Sequence, residues 1–275
     1  MNTPKEIIES NMNGAVNKAN MKLSRMIALG IMAGMFIALG GAVSNTAVHG
    51  ITDVGLSRTL AGVIFPVGLL MIVIVGGELF TGNSLMIMAA LDKRIRVSMF
   101  LRNLIVVYLS NLAGSLIVVC LTYFSGNLDY SSGALGAYTI KVALAKATIT
   151  PLKAVTSGIL CNTLVCMAIL MGTAAKEAAG KILGIWFPIC AFVIGGFEHI
   201  VANMYYIPAG IIAATNPAYT ARAEELYGIT SEQLQSLNIG GLVQNFLPVT
   251  IGNIIGGMLF VGCMYYFINV KTEKK

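Results

Sequence analysis

The sequence predicts an all-α membrane protein with six transmembrane helices. Three observations carry this prediction: of 275 residues 56% are hydrophobic, only 11% are charged, and the mean hydropathy is +0.80. An ordinary soluble domain has about 25% charged residues, so the composition excludes a soluble fold. Because one helix needs about 20 mostly apolar residues to cross the bilayer, the chain has room for six or seven crossings.

Six apolar stretches, separated by polar or charged turns, account for these crossings. They lie at 26–48, 60–91, 104–124, 154–175, 182–214 and 241–269. We therefore expect one transmembrane domain at 26–270, with two longer connections at 125–153 and 215–240. The basic residues are scattered in short loops and form no basic domain, so nucleic acid is not an expected partner.

The polar segment 1–25 comes before the first apolar stretch and lacks the features of a secretory signal. Its beginning, Thr3-Pro4-Lys5-Glu6, predicts a helix start. Thr3 fits the N-cap, Pro4 fits the first helical position, and Glu6 completes a capping box. We expect a short surface helix ahead of the membrane domain.

The distribution of Lys and Arg predicts the orientation in the cell membrane. Thirteen of the 18 basic residues fall on the side of both termini, and five fall on the other side. By the positive-inside rule, segment 1–25 and a short tail at 271–275 are cytoplasmic. The lipid bilayer is then the expected partner of the outer apolar surface.

The second and fifth stretches are too long to be single straight spans. About 32 residues at 1.5 Å each would make a helix of about 48 Å, which is well beyond the hydrocarbon thickness. Both stretches also carry a polar interruption, Gly76-Gly77-Glu78 in the second and Gly195-Gly196-Phe197-Glu198 in the fifth. We expect both helices to be broken at these points.

The two interruptions match each other, and so do the spans that follow them. Glu78 and Asn83 repeat as Glu198 and Asn203. The third and sixth stretches share one spacing, in which Asn103, Asn111 and Gly114 repeat as Asn245, Asn253 and Gly256. Two three-helix repeats, at about 26–124 and 154–270, are therefore expected. An odd number of crossings in each makes the second inverted, an arrangement that places a solute site near the midplane.

Broken helices are tolerated in lipid only where protein or a watery cavity surrounds the freed backbone, so the breaks indicate a pathway. We expect the shared residues Glu78, Asn83, Glu198 and Asn203 to be structural and to satisfy exposed backbone amides. Where the repeats differ, a functional role is favoured. Aligning them sets Leu79 opposite His199 and Thr81 opposite Val201, so His199 and Thr81 are the main candidates for a pore site. His49 lies at a loop edge and is expected to have no special role.

These residues lie in motifs that resemble the formate/nitrite transporter family. The resemblance covers nearly the whole chain and rests on three stretches: Gly77-Glu78-Leu79-Phe80-Thr81-Gly82-Asn83, Glu198-His199-Ile200-Val201-Ala202-Asn203-Met204 followed by Ile207-Pro208, and Asn245-Phe246-Leu247-Pro248-Val249-Thr250-Ile251-Gly252-Asn253. It implies a homopentamer with one anion pathway in each protomer and an aquaporin-like arrangement of six helices.

The resemblance also implies roles for individual residues. His199 matches the central histidine of the family, and Thr81 matches its loop threonine. Lys146 falls where the family has an outer-vestibule lysine, and Asn162 matches an asparagine that lines the central chamber. Four further residues are similar in position to the constriction residues of formate channels: Phe65, Leu69, Leu79 and Phe192.

A weak acid is the cargo that elementary electrostatics favours, because a neutral acid crosses an apolar constriction at a far lower cost than its anion. Lys146 would concentrate anions, and His199 would share a proton with them. The bulky Phe65, Leu69 and Phe192 favour formate, with hydrosulfide or nitrite as alternatives. We expect no cofactor or metal, since the five cysteines lie in apolar segments and have neither disulfide nor zinc-site spacing.

Two other functions are compatible with parts of the sequence. Six spans and Asn216-Pro217-Ala218 are compatible with an aquaporin-like channel for neutral solutes, but that motif occurs once and precedes charged residues, which indicates a turn. A membrane enzyme using Glu198 and His199 is the third possibility. It lacks any metalloprotease, nucleophile-elbow or nucleotide-binding motif, so we expect no enzymatic activity.

Overall fold

The computed structural model describes residues 1–271, and all regular secondary structure in that part of the chain is helical. The α-helices are α1 Pro4–Ala19, α2 Leu23–Val48, α3 Val54–Ile64, α4 Val67–Val75, α5 Phe80–Asn83, α6 Ile87–Leu91, α7 Val97–Phe124, α8 Ala134–Ala147, α9 Pro151–Ala174, α10 Ala178–Gly195, α11 Ile200–Ala213, α12 Pro217–Tyr227, α13 Ser231–Leu234, α14 Ile239–Ile254 and α15 Met264–Tyr266. The last span is wound as a π-helix over Ile255–Cys263 and Phe267–Lys271.

Six helices in the described residues are long and apolar enough to cross a membrane. Two shorter apolar helices, Phe80–Leu91 and Ile200–Ala213, complete the second and fifth spans. The expected six crossings with two broken helices are thus confirmed. Several spans begin earlier than the hydrophobic pattern indicated, as in α2, which starts at Leu23. The reason is that long basic side chains in a first turn extend to the water interface while their stems remain apolar.

The two long connections contain helices, which the sequence analysis did not anticipate. The first holds α8, and the second holds α12 and α13. The expected turn at Asn216-Pro217-Ala218 is also a helix start. The chain turns at residues 214–216, Asn216 is the N-cap of α12 and accepts a hydrogen bond from the amide of Ala218 at 3.0 Å, and Pro217 is the first helical residue. Proline suits that position because its missing N–H has no helical partner there.

Each break contains a glycine in a conformation that other residues rarely adopt. Gly76 ends α4 with a φ of 109°, and Gly196 ends α10 with a φ of 68°. Without a Cβ atom, glycine takes up positive φ at no steric cost, so the chain can leave one half-helix and start the next on a new axis. His199 then caps α11.

Helix α1 begins with the expected capping box and packs against the transmembrane bundle. Thr3 and Glu6 exchange hydrogen bonds, from the Thr3 amide to Oε2 at 2.7 Å and from the Glu6 amide to Oγ1 at 3.3 Å. One face of the helix is buried, for example at Met12, which is 1% exposed. On its other face Arg94 donates two hydrogen bonds to Glu9, at 2.6 and 2.8 Å. These bonds hold the pKa of Glu9 below its ordinary value. The expected tail at 271–275 lies outside the described residues, apart from the backbone of Lys271.

Glycines let the crossing helices of each repeat approach closely. A Cβ added to Gly114 of α7 would meet the carbonyl oxygen of Ile31 in α2, and one added to Gly256 would meet that of Ile159 in α9. Small residues at a crossing allow the backbones of transmembrane helices to touch. The two halves therefore repeat this contact with equivalent residues, as an inverted repeat requires.

The repeat includes one more helix in each half than the sequence analysis predicted. In the register that pairs Ile31 with Ile159, helix α1 falls opposite α8. The same register sets Lys18 opposite Lys146. Both helices come directly before the first long span of their half, so each half consists of a short helix, a long span, a broken span and a second long span.

Substitution of Gly114 tests this close contact. We expect Gly114→Ala to lower the stability of the folded protein by about 1–3 kcal/mol, because the added methyl group forces two backbones apart. The midpoint of thermal unfolding in detergent, followed by circular dichroism, is the measurement. Gly50→Ala is the matched control, since a Cβ at Gly50 meets nothing within 4 Å. Equal midpoints for the two variants would contradict the tight crossing.

Candidate pore site

Thr81 and His199 meet at the centre of the molecule. The Oγ1 atom of Thr81 lies 3.0 Å from Nε2 of His199. Thr81 comes from the first turn of α5 and His199 from the N-cap of α11, so each broken span supplies one partner. Both side chains are buried, with exposed fractions of 0% and 2%. The two residues without symmetry mates in the sequence are thus brought into direct contact.

The hydrogen bonds of His199 fix its tautomer. The backbone amide of Ala202 donates to Nδ1 at 3.0 Å, as expected for an N-cap residue. A neutral imidazole that accepts at Nδ1 carries its proton on Nε2. The N–H of His199 therefore points at the hydroxyl oxygen of Thr81, and the hydroxyl proton of Thr81 is free to reach another acceptor.

Two side chains of α9 hold the backbone of Thr81 in place. The amide of Asn162 donates to the carbonyl oxygen of Thr81 at 3.2 Å and to that of Asn253 at 2.6 Å. The thiol of Cys166 also lies 3.6 Å from the Thr81 carbonyl oxygen. Asn162 thus contacts the pore residue through its main chain, and its own side chain is fully buried.

An aromatic stack leads away from His199 on one side. Its ring packs on Phe192 with centroids 5.7 Å apart and planes inclined by 28°. Phe192 in turn meets Phe65 edge to face at 5.6 Å. These two phenylalanines, named from the sequence as constriction residues, are only 3% and 2% exposed. Together they form an apolar layer beside the imidazole.

On the other side, a cavity of about 410 Å³ opens between α1 and the first break. We call it the inner cavity; its wall includes Leu69 and Leu79, the other two constriction candidates. Thr81 and His199 do not line it. Since Leu69 and Leu79 are only 2% and 3% exposed, the inner cavity ends at an apolar floor.

Each break carries a carboxylate that accepts a hydrogen bond from an asparagine and pairs with a lysine, and that asparagine also donates to a second asparagine. Asn83 donates to Glu78 and to Asn103, both at 2.7 Å, and Lys18 lies 3.2 Å from Glu78. The second half repeats this cluster with equivalent residues: Asn203 donates to Glu198 at 2.6 Å and to Asn245 at 2.8 Å, and Lys146 binds Glu198 at 2.8 Å. Lys18 was not identified from the sequence, because the repeat was not traced into the N-terminal helix.

Lys146 is more enclosed than an open vestibule position implies. Its side chain is 16% exposed, and the ammonium group lies 5.3 Å from the ring centroid of Tyr206. A desolvated lysine keeps its charge only beside a compensating anion, which Glu198 supplies. Lys146 therefore sits deep at the second break and directly beside the residue that precedes His199.

Asn111 and Asn253 form the hydrogen bonds to the backbone of the breaks. The repeated motifs had predicted this role for other residues: Glu78, Asn83, Glu198 and Asn203. The side-chain oxygen of Asn111 accepts from the amide of Phe80 at 2.9 Å, and that of Asn253 accepts from the amide of Ile200 at 2.9 Å. Each asparagine also donates to two carbonyl oxygens, one of which belongs to the glutamate of the break. The glutamate side chains instead face the lysines and asparagine amides, which are better partners for a buried negative charge.

The signal that could have found Asn111 and Asn253 was present in the sequence. Both repeat at identical spacing on spans that cross the breaks, and an amide on such a span offers both a donor and an acceptor. Among the other candidates, His49 bonds Thr46 at 2.7 Å and Ser131 at 2.8 Å near the end of α2. No group of three potential metal ligands is found within residues 1–271.

Comparisons with known proteins give consistent results. The sequence model of one family, "Formate/nitrite transporter", matches residues 5–267. The "Probable formate transporter" of Methanothermobacter thermautotrophicus is 36% identical, with 92% of each chain covered. "Formate channel FocA" of Haemophilus influenzae is also 36% identical, over 97% of this chain and 94% of the relative.

The fold is likewise similar to solved structures. A "Pentameric formate channel with formate bound" superimposes with a TM-score of 0.78 at 32% identity, covering 90% of this chain and 97% of that one.

Removal of the Asn253 side chain tests the hydrogen bonding of the break. Asn253→Ala leaves the amide of Ile200 and two carbonyl oxygens unpaired, at about 1–3 kcal/mol for each buried group. We expect a clear fall in the thermal midpoint in detergent. Asn269→Ala is the control, because the side chain of Asn269 hydrogen-bonds Tyr265 of its own helix and no other residue in the described part of the chain. A midpoint for Asn253→Ala as high as that of the control would show that other groups support the break.

Proposed function

This chain belongs to the formate/nitrite transporter family, and we propose that it conducts small monovalent anions of weak acids, with formate as the main substrate. The observation that carries the proposal is the arrangement of one imidazole and one hydroxyl, Thr81 and His199, between two apolar layers. Leu69 and Leu79 would form the inner constriction, and Phe65 and Phe192 the outer one. Hydrosulfide and nitrite are the alternatives within the family.

The apolar layers favour passage in the neutral form. Moving a bare carboxylate into such surroundings costs up to tens of kcal/mol, although real sites lower this figure. Protonating a carboxylate with a pKa near ~4 at pH 7 costs only about 4 kcal/mol. The acid therefore has the lower barrier, and chloride, whose acid is too strong to be protonated in water, should be excluded.

His199 has a defined part in this passage. Its Nε2 proton points into the centre, whereas Nδ1 is occupied by the amide of Ala202. The imidazole can therefore donate a hydrogen bond to an arriving carboxylate while a proton from the vestibule water neutralises it. Thr81 can accept the hydrogen bond from that N–H or donate a hydrogen bond through its own hydroxyl proton. Asn162 keeps Thr81 in position by donating to its carbonyl oxygen.

The remaining assignments follow from the same proposal. Because Glu198 compensates its charge at 2.8 Å, we propose that Lys146 acts on the anion only at short range, as a hydrogen-bond donor on the outer side of the pathway. We also propose that segment 1–25 and the tail 271–275 are cytoplasmic. Assembly into a homopentamer with one pathway per protomer is supported by the similarity to a pentameric channel. The glutamates and asparagines of the breaks would act structurally, by fixing the lysines and one another.

Flux measurements in proteoliposomes test the substrate. We expect formate to move faster as the pH falls from about 8 to 5, since more of it carries a proton. Nitrite, hydrosulfide, chloride and glycerol are compared under the same conditions, with protein-free liposomes as the control for leakage of the acid. Faster flux of hydrosulfide or nitrite would change the substrate, and glycerol flux without anion selectivity would favour an aquaporin-like channel for neutral solutes.

Substitution of His199 tests its role in passage. His199→Phe or His199→Asn should lower formate flux near pH 7 about ten- to hundredfold, the range for a lost hydrogen bond to a charged group. It should also alter the pH profile. His49→Asn is the control, as it changes the other histidine of the chain. A His199 variant with an unchanged pH profile would rule the role out.

A further inference from the structure

We propose that Arg25 captures the anionic form of the substrate at the mouth of the inner cavity, before the anion reaches the apolar floor. Arg25 lies in the first turn of α2, and its exposed side chain lines the inner cavity. This inference deepens the proposed function and rests on it. It concerns the recruitment of the anion and leaves the proposed hydrogen bond from His199 and the protonation by water unchanged.

The charge balance of the inner cavity singles out Arg25. Three ionisable side chains line this cavity: Lys18, Arg25 and Glu78. Lys18 and Glu78 are bound to each other at 3.2 Å, so their charges compensate. Arg25 makes no hydrogen bond or ion pair with any of the described residues. The field that an approaching anion meets in this cavity is therefore set mainly by the guanidinium of Arg25.

The size of the cavity determines what kind of capture this is. A volume of about 410 Å³ has room for roughly a dozen waters at about 30 Å³ each. A formate ion can therefore remain hydrated beside Arg25, without the desolvation that a tight binding site would impose. Such a site raises the local anion concentration and the capture rate, and both effects weaken as the ionic strength rises. It does not act on an ion that has already reached the constriction.

The inverted repeat supplies an independent argument. In the register that pairs Ile31 with Ile159, Arg25 falls opposite Lys153, in the first turn of α9. Lys153 is exposed and has no ion pair in the part of the chain that the structure describes. Both halves thus combine a lysine bound to a buried glutamate with a second cation, seven positions further along the chain, that has no ion pair among the described residues. If Arg25 only set the orientation in the membrane, no basic residue would be required at the equivalent position on the other side.

The test is the initial uptake of radiolabelled formate into membrane vesicles, prepared inside-out and right-side-out from cells that produce the full chain. When the inner cavity faces the label, at low salt and formate well below saturation, Arg25→Gln should take up formate about fivefold more slowly. This is the factor for one unit charge a few ångströms from an anion in water. The difference should shrink at 150 mM salt, where the Debye length is about 8 Å, and disappear at saturating formate.

Three variants separate capture from other roles. Lys22→Gln removes an exposed cation three positions from Arg25 that does not line the cavity, and it should leave the rate unchanged. Arg25→Lys keeps the charge and should retain most of the rate. Lys153→Gln should not affect uptake from the side of the inner cavity.

Two results would overturn the inference. One is equal uptake by Arg25→Gln and Lys22→Gln, which would assign Arg25 to membrane topology. The other is a loss that neither salt nor saturating formate removes, which would assign it to folding. If wild-type vesicles take up no more formate than vesicles without the protein, the proposed function itself fails, and that outcome is separate from both results.

Discussion

The structure depends on how the backbone is hydrogen-bonded where two helices break inside the membrane. In hydrocarbon, every unpaired amide or carbonyl group costs several kcal/mol, so a break needs partners from elsewhere in the protein. Asn111 and Asn253 provide them, each with one acceptor and two donated hydrogen bonds. They reach the breaks because Gly114 and Gly256, three residues further along the same spans, let those spans lie against α2 and α9. The glycine contact, the asparagine and the break form one unit, which occurs once in each half.

The pore site arises where this repeated unit carries different residues. His199 replaces the leucine of the first half, and Thr81 replaces the valine of the second, so a polar pair forms in a frame that would otherwise be apolar. A further difference is found on the neighbouring span. In the register of α2 and α9, Gly34 falls opposite Asn162; Gly34 only makes room for the carbonyl of Asn111, whereas Asn162 binds the carbonyls of Asn253 and Thr81. The asymmetric residues thus form one cluster on the symmetric frame.

The sequence predicted the parts of the fold that follow from periodicity and internal repetition. The number of spans, both breaks and the inverted relation of the halves were predicted because apolar length and repeated spacing are local properties. Comparison of the two halves selected Thr81 and His199 as pore candidates, but their direct contact was not predicted. The burial of Lys146 and the role of Lys18 could not be predicted. Both lysines stand in short helices whose apolar faces look like loop or surface sequence, and only tertiary packing brings them to the glutamates.

The positions of the charges explain how attraction and passage can be separated. Within the described residues, the ion pairs at the breaks combine Lys18 with Glu78 and Lys146 with Glu198, so each pair contributes little net charge beside the pathway. The centre itself has only dipoles, from an imidazole, a hydroxyl and an amide. A full charge there would bind an anion tightly and slow its release, whereas neutral hydrogen-bonding groups lower the barrier without creating a trap. Net positive charge is useful only where the anion is still hydrated, which is at the mouths. An unpaired cation in the inner cavity and neutral donors at the centre are therefore the distribution of charge that suits the proposed conduction of a weak acid.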